Sequence, residues 1–216
     1  MGLVNAAGGV SHDPIVRGWE RALFGGQPSV EWIRAFPSPA WSAVMHAAYL
    51  SYYLILAASP LGLWLAGRRE RARGTLLLMM ATFYVCYTAF LAFPVAGPRY
   101  LFPPATNAAT VIPIAAFANR MLQGGSAWGT AFPSSHVAVA VVAAACAWRG
   151  LRLLGAVLVP AAVLLSLATV YCQFHYAVDA LAGGALAATL IACRRAGYDS
   201  PPTVSTHSSA LHGEPR

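Results

Sequence analysis

Long apolar runs separated by clusters of arginine are the feature that most constrains how this chain folds. Five runs, at about 41–66, 75–94, 136–150, 153–171 and 176–193, reach or approach the roughly 20 residues that a helix needs to cross a bilayer. Only 10% of the residues are charged, well below the fraction typical of a soluble domain. The sequence therefore predicts an all-α polytopic membrane helix bundle with about five transmembrane helices.

The positive charges predict an orientation for this bundle. The net charge is +7 and all of the basic residues are arginines. Three clusters follow the first, third and fifth apolar runs: Arg68, Arg69, Arg71 and Arg73; Arg149 and Arg152; Arg194 and Arg195. Because cytoplasmic loops carry the excess of positive charge, these ends are expected inside, which gives an N-out/C-in topology and argues against a nucleic-acid partner. A wholly arginine basic complement is typical of a GC-rich genome and favours a bacterial inner membrane.

Three titratable side chains from two distant segments are predicted at one depth of the bundle. His136 opens the third apolar run, and His175 and Asp179 open the fifth, so all three fall on the extracytoplasmic side. Asp179 is the only acidic residue between Glu70 and Asp199. An ionised carboxylate near lipid costs about 2.5–3.5 kcal/mol at a helix centre and less toward the interface, so it marks a functional site by default.

The spacing of these groups indicates nucleophilic chemistry. His175 and Asp179 are four residues apart and share a helix face. The carboxylate can therefore accept a proton from one imidazole nitrogen and leave the other as a nucleophile. His136 is placed to donate a proton to a leaving oxygen.

Other residues on the same side predict a phosphate-binding site. Ser134 and Ser135 precede His136 at the start of a predicted helix, where capping and free backbone N–H groups favour anions. Arg99, just past the second apolar run, offers a fixed fork of donors for phosphate oxygens.

Three segments carry a resemblance to a known family. "GPRY", "FPSSH" and "YCQFHYAVDALAG", in that order and between those spans, resemble the signature segments of the type 2 phosphatidic acid phosphatase and haloperoxidase superfamily. More narrowly, they resemble its inositol phosphorylceramide synthase-like (inositolphosphotransferase-like) branch, and the lead-in "LFGGQPSVEW" is similar to that branch too. The likeness covers most of residues 13–193.

The resemblance implies a metal-independent enzyme without a cofactor that acts on a lipid-linked phosphate. His175 would attack phosphorus to form a phosphohistidine, Asp179 would orient it, and His136 would protonate the leaving alcohol. Water or an acceptor hydroxyl would then resolve the intermediate, so hydrolysis and headgroup transfer both stay open, as do the lipid and the oligomeric state. Three residues would hold the phosphate oxygens: Arg99, Ser134 and Ser135.

The chain departs from the broad superfamily at several positions. Ala92 stands where the superfamily has a lysine, and Ala168 and Thr169 stand where it has a Ser-Arg pair. Fewer fixed cations favour the synthase-like branch over a phosphatidate phosphatase. The family also usually begins with one more span than the five predicted here, so the start is expected to be truncated or replaced by an interfacial N-terminal helix.

This organisation predicts three parts of the chain. Residues 1–40 form an interfacial segment, in which residues 14–24 place Ile15, Trp19 and Leu23 on one side and Glu20 with two arginines on the other. A solvated helix packed on the bundle is the alternative. Residues 41–195 form the transmembrane catalytic domain, and residues 196–216 a disordered cytoplasmic tail. The N-terminus lacks the basic start and apolar core of a signal peptide.

Other functions compete with this interpretation. Two histidines and a carboxylate match a facial metal triad, although no second-shell acidic partners are evident. A non-catalytic lipid-binding protein with a decayed site is another possibility. Ser126 with His175 would suggest an intramembrane serine protease, which the sequence around Ser126 does not favour.

Overall fold

The computed structural model describes residues 11–125 and 127–199, and these residues form helices and no strand. A single parallel bridge joins Val95 to Thr130. The helices of the described residues are α1 Asp13–Phe24, α2 Pro28–Ala35, α3 Pro39–Leu50, α4 Tyr52–Leu65, α5 Arg69–Ala92, α6 Pro98–Leu101, α7 Pro113–Gly125, α8 Ser135–Gly150, α9 Arg152–Tyr171 and α10 Ala177–Asp199.

The predicted membrane bundle is confirmed. Within the described residues, α5, α9 and the first 18 residues of α10 are long and apolar enough to cross a bilayer. Helices α3 and α4 together give a fourth candidate, broken by a bend of 43°. Helix α8 is apolar but has only 16 residues. The described chain therefore holds three or four candidate spans, and the number of five stays a prediction.

Helix α8 lies at the centre of the bundle. It packs against α4, α5, α9 and α10, and small or β-branched residues such as Val139, Ala140 and Ala143 are buried all around it. Small residues let neighbouring helices approach closely, which is how membrane helices gain packing energy without a hydrophobic driving force. Ser59 of α4 also donates to the carbonyl oxygen of Ala143, at 2.7 Å. The middle of α8 is thus held against the surrounding helices.

The N-terminal helix α1 packs on the end of the bundle where α8 and α10 begin, called here the site end. Val16, Asp13 and Glu20 are buried, while Trp19 is 43% exposed and Leu23 is 67% exposed. The amphipathic helix predicted for residues 14–24 is present, with Asp13 and Glu20 turned toward the protein and the predicted apolar side of Ile15, Trp19 and Leu23 partly exposed.

The segment between α5 and α8 contributes the short helices α6 and α7 to the same end. At the other end of the chain, α10 continues to Asp199. The predicted tail begins at residue 196; residues 196–199 continue α10, and residues 200–216 lie outside the described residues.

Candidate active site

The structure brings the predicted site residues together at the site end. Arg99, His136 and His175 line one cavity, and the two imidazole rings are 5.7 Å apart between centroids. Asp179, fully buried, lies beside His175. The backbone N–H of Ser134 donates to the carbonyl oxygen of Asp179 at 3.0 Å, which joins the start of α8 to the first turn of α10.

A tight turn after α9 sets the position of His175. Gln173 adopts a left-handed conformation (φ 63°), which lets the N–H groups of Phe174 and His175 both donate to the carbonyl oxygen of Thr169 at 3.0 Å. Such a residue just past a helix end satisfies carbonyls of the last turn. The side-chain amide of Gln173 donates to the carbonyl oxygen of Pro103 at 3.3 Å, which holds the turn against the segment leading to α7.

Hydrogen bonding determines which nitrogen of His175 carries the proton. Its Nδ1 lies 3.1 Å from the carbonyl oxygen of Ala131 and 3.4 Å from Oδ2 of Asp179. A carbonyl oxygen only accepts, so Nδ1 is the protonated nitrogen and Nε2 keeps its lone pair. Burial lowers the pKa of His175 to about 4, and the bond to Ala131 offsets part of that shift. The imidazole is therefore neutral at pH 7.

The carboxylate of Asp179 contacts two groups of the turn before α10. Its Oδ2 accepts from the backbone N–H of Tyr176 at 2.8 Å and faces Nδ1 of His175. Its Oδ1 is buried without a hydrogen-bond partner in the described chain. Asp179 therefore both caps the helix start and orients the imidazole, and it shares the second task with the Ala131 carbonyl.

Two tyrosines hold the ring of His136. The hydroxyl of Tyr49 lies 3.3 Å from Nε2, and the ring of Tyr52 is 4.5 Å away between centroids. The Nδ1 atom of His136 is buried without a partner among the described residues. This arrangement holds the imidazole of His136 at the cavity that His175 also lines.

The two serines before His136 differ in their surroundings. Ser134 is fully buried, and its hydroxyl accepts from the N–H of Val137 at 3.4 Å as the N-cap of α8. Ser135 lines the cavity. The first intrahelical bond runs from Ala138 N to Ser134 O. The amides of Ser135 and His136 therefore have no helical acceptor and are available for an anion.

Arg99 reaches the cavity from α6. Gly97, just before it, has a φ of 92°, a conformation that favours glycine, and an added Cβ would lie 3.0 Å from Cβ of Ala131. The turn can therefore pack closely against the strand-like segment that leads into α8. The Nη1 atom of Arg99 is buried without a partner in the described chain. Such an unpaired donor is suited to an oxyanion.

The cavity has a volume of about 480 Å³ and extends from the histidines along α4 and α5. Within the described residues that line it, Arg99 is the only arginine. The rest of the wall is largely aromatic, and the side chains contributed by α4 and α5 are Tyr52, Tyr53, Leu56, Phe83, Tyr87 and Phe90. A cationic end with an aromatic, apolar extension matches a molecule with a phosphate group and a hydrophobic part.

The structure bears on one of the competing chemistries, the metal site. No group of three or more histidine, cysteine, aspartate or glutamate residues in the described ranges is arranged to hold a metal ion. Ser126, the predicted nucleophile of the serine-protease alternative, lies outside the described residues.

Sequence reasoning missed several residues that support the site. Asp13 and Glu20 were assigned no role, yet both are buried against the loops that carry Arg99 and His175. Their spacing of seven residues puts them on one helix face, which was a usable signal. Tyr49 was hidden in an apolar run, where an aromatic residue is ordinary.

Comparison with known proteins places the chain in a family. A protein-family model described as the PAP2 superfamily matches residues 16–193. A PA-phosphatase related-family protein of Dictyostelium discoideum is 26% identical over 138 residues, which is 61% of this chain and 24% of that relative. The match thus spans about a quarter of the relative's length. No solved structure gives a significant match. Because the family model covers most of the chain, including both site histidines and Asp179, the chain belongs to the PAP2 superfamily.

Proposed function

We propose that the chain is a membrane-embedded lipid phosphatase or phosphotransferase that acts through a phosphohistidine at His175. Membership of the PAP2 superfamily indicates phosphatase-type activity on lipid phosphates. One observation carries the finer proposal: Nδ1 of His175 is engaged by the Ala131 carbonyl, so Nε2 presents a lone pair in a cavity that also holds His136 and Arg99. A neutral, oriented imidazole beside an anion site is what nucleophilic attack on phosphorus requires.

In the first step, Nε2 of His175 forms a bond to phosphorus and the bond from phosphorus to the leaving alcohol breaks. His136 in its protonated form gives a proton to the departing oxygen, and the alcohol leaves neutral. The nearby Asp179 carboxylate stabilises the positive charge that develops on the phosphorylated imidazole.

The phosphate oxygens are held by Arg99 and by the N-terminus of α8. The unpaired Nη1 of Arg99 and the free amides of Ser135 and His136 supply donors from two sides. Ser134 supports this site indirectly, because its hydroxyl and amide are already used to cap α8 and to join it to α10.

In the second step, water or an acceptor hydroxyl attacks the phosphohistidine. His136, now neutral, takes the proton from the attacking oxygen, and the bond between phosphorus and Nε2 breaks to regenerate His175. The two possible reactions, hydrolysis and transfer, differ only in this acceptor. Ala92, Ala168 and Thr169 leave the site with few fixed cations, which favours the inositol phosphorylceramide synthase-like branch and headgroup transfer.

A lipid is the proposed substrate because the cavity continues between α4 and α5, two apolar helices. Tyr53 and Tyr87 in its wall are each about half exposed on the sides of these helices. The arginine clusters support the proposal that this end of the bundle lies on the extracytoplasmic face of a cell membrane, proposed to be the bacterial inner membrane.

The proposal is tested with purified protein and its His175→Ala variant in the presence of a chelator. Release of phosphate or movement of a headgroup is measured on phosphatidate, phosphatidylglycerol phosphate, polyprenyl pyrophosphate, and phosphatidylinositol with an acceptor lipid. We expect turnover of at least one lipid by the wild type, none by the variant, and inhibition by vanadate. A folded wild-type protein that binds these lipids and turns over none of them would instead indicate a non-catalytic lipid-binding protein.

A further inference from the structure

Two carboxylates of the N-terminal helix α1 are buried against the site end. Asp13 is 1% exposed and Glu20 is 0% exposed, although both belong to a helix on the outside of the bundle. Burying a carboxylate is unfavourable unless hydrogen bonds replace its water. The hydrogen-bond partners of the two carboxylates therefore show which segments α1 stabilises.

Asp13 joins two of the segments that form the active site. Its Oδ2 accepts from the N–H of Ala96 at 2.7 Å, and its Oδ1 accepts from the N–H of Gly97 at 2.9 Å. The hydroxyl of Tyr176 also donates to Oδ1, at 2.8 Å. Ala96 and Gly97 lead into the turn that carries Arg99, and Tyr176 follows the proposed nucleophile. One carboxylate thus links the anion-binding arginine to the histidine loop.

Glu20 fixes the start of α10. Its Oε1 accepts from the N–H of Ala177 at 2.8 Å, and its Oε2 accepts from the hydroxyl of Ser29 at 2.9 Å. Ala177 is the first residue of the helix that carries Asp179. Burial raises the pKa of Glu20, and the bonds from Ala177 and Ser29 lower it in part. Glu20 therefore accepts a hydrogen bond from the first residue of α10, while Asp179 accepts one from the residue before it.

We propose that Asp13 and Glu20 are positioning residues for the phosphoryl-transfer reaction, which hold Arg99 and His175 at the separation that the phosphate requires. Neither side chain lines the cavity, so neither touches the substrate. Their effect passes through backbone groups of the Arg99 turn and of the loop around His175. A shift of about 1 Å in such a site is enough to reduce a rate substantially. This role rests on the proposed function.

The test compares Asp13→Asn, Glu20→Gln and the matched control Glu31→Gln. Each oxygen of Asp13 faces a backbone N–H, so an amide NH2 meets a donor in either orientation. We expect Asp13→Asn to lower kcat/KM about tenfold or more, and vanadate to inhibit it less strongly by a similar factor. Glu31 is exposed on α2, and we expect its variant to stay within about twofold of the wild type.

Vanadate inhibition separates positioning from stability. A variant that is merely less stable has fewer active molecules, and the inhibition constant of the surviving molecules is unchanged. Tyr176→Phe removes one of the bonds of Asp13 and serves as the milder variant if Asp13→Asn does not fold. The variant that combines Asp13→Asn with Tyr176→Phe should lose little more activity than Asp13→Asn alone, because both changes break the same link between α1 and the loop around His175.

Hydrogen exchange gives a readout that does not need turnover. We expect Asp13→Asn to speed exchange in the segment 93–101, and Glu20→Gln to speed it in the segment 174–180, with Glu31→Gln changing neither. Wild-type inactivity on every lipid would refute the proposed function, and accelerated exchange would still show the structural link. An active wild type together with a folded Asp13→Asn variant of unchanged kcat/KM and unchanged vanadate inhibition overturns the positioning role.

Discussion

Nδ1 of His175 lies closer to the carbonyl oxygen of Ala131, at 3.1 Å, than to the carboxylate of Asp179, at 3.4 Å. The proton on Nδ1 is therefore held by a backbone group that no side-chain substitution removes. Asp179 adds negative charge beside the ring and caps the start of α10.

This geometry predicts an intermediate effect for Asp179→Asn. The tautomer of His175 is preserved by Ala131, while the charge that stabilises the phosphorylated ring is lost. We expect turnover to fall by about 10²-fold, less than in His175→Ala. Initial rates with the active lipid and a heat-stability measurement in detergent check this, and full activity in Asp179→Asn would exclude the orienting and stabilising role.

The role of His136 predicts a dependence on the leaving group. A general acid matters most when the departing alcohol is basic, so His136→Ala should slow alkyl phosphate esters by about 10²-fold and aryl phosphate esters much less. The ratio of the two rates is the measurement. Tyr49→Phe removes the hydroxyl near Nε2 of His136 and should change the ratio in the same direction by a smaller factor. Equal losses on both substrate types would contradict the proton-donor role.

The state of His175 predicts a pH dependence. Its pKa is lowered to about 4 by burial, so the ring is neutral above about pH 5 and gains a proton as the pH falls through 4. Protonation removes the lone pair of Nε2, so kcat/KM for a phosphodiester should show an acid-side decline centred near pH 4. An acid-side decline centred near pH 6.5, the ordinary pKa of histidine, would be inconsistent with a buried, neutral nucleophile.

A pair of adjacent glycines predicts a sharp contrast in stability. A Cβ on Gly183 would overlap the carbonyl oxygen of Ser134, whereas a Cβ on Gly184 would meet no atom within 4 Å. Gly183→Ala should therefore push α10 away from the start of α8 and lower the free energy of unfolding by about 1–3 kcal/mol. Gly184→Ala should be neutral or slightly stabilising, because alanine favours a helix. Thermal unfolding of both variants in one detergent tests this, and equal stabilities would show that α10 and Ser134 are not in close contact.

The arginine clusters predict which end of the bundle faces outward. In a cysteine-free background, Leu101→Cys lies beside Arg99 and should react with an impermeant thiol reagent added to intact cells, since Leu101 is exposed. Arg69→Cys, at the opposite end of α5, should react only after the cells are opened. The reverse pattern would place the active site on the cytoplasmic face.

The apolar runs predicted the positions of the helices along the chain better than they predicted the directions of the helix axes. The run 41–66 corresponds to α3 and α4, but the 43° bend between them leaves no mark in hydropathy. The two site histidines, Arg99 and Asp179 were predicted to lie together because membrane spans fix the depth of each residue in the bilayer. Residues at the same depth of a small helix bundle lie close to one another. In a soluble chain the same residues would not have been brought together by this argument.

The supporting residues escaped prediction because their partners are distant in sequence. Asp13 bonds to Ala96 across 83 positions and Glu20 to Ala177 across 157. Periodicity reports which face of a helix is apolar, and α1 turns that face outward and buries its carboxylates instead. Ser134 was predicted to cap α8, and it does so. Because its hydroxyl is used in the cap, that hydroxyl is not available in the cavity.

The bond between Tyr176 and Asp13 spans 163 positions and joins one of the first described residues to one near the start of the last helix. During synthesis, α1 is made long before Tyr176 and Ala177 exist, so its carboxylates have no partners until α10 has emerged. The geometry of the candidate site therefore cannot form in a nascent chain that ends before α10. With the proposed function, a partly synthesised chain would therefore leave the surrounding lipids unreacted while it is being inserted.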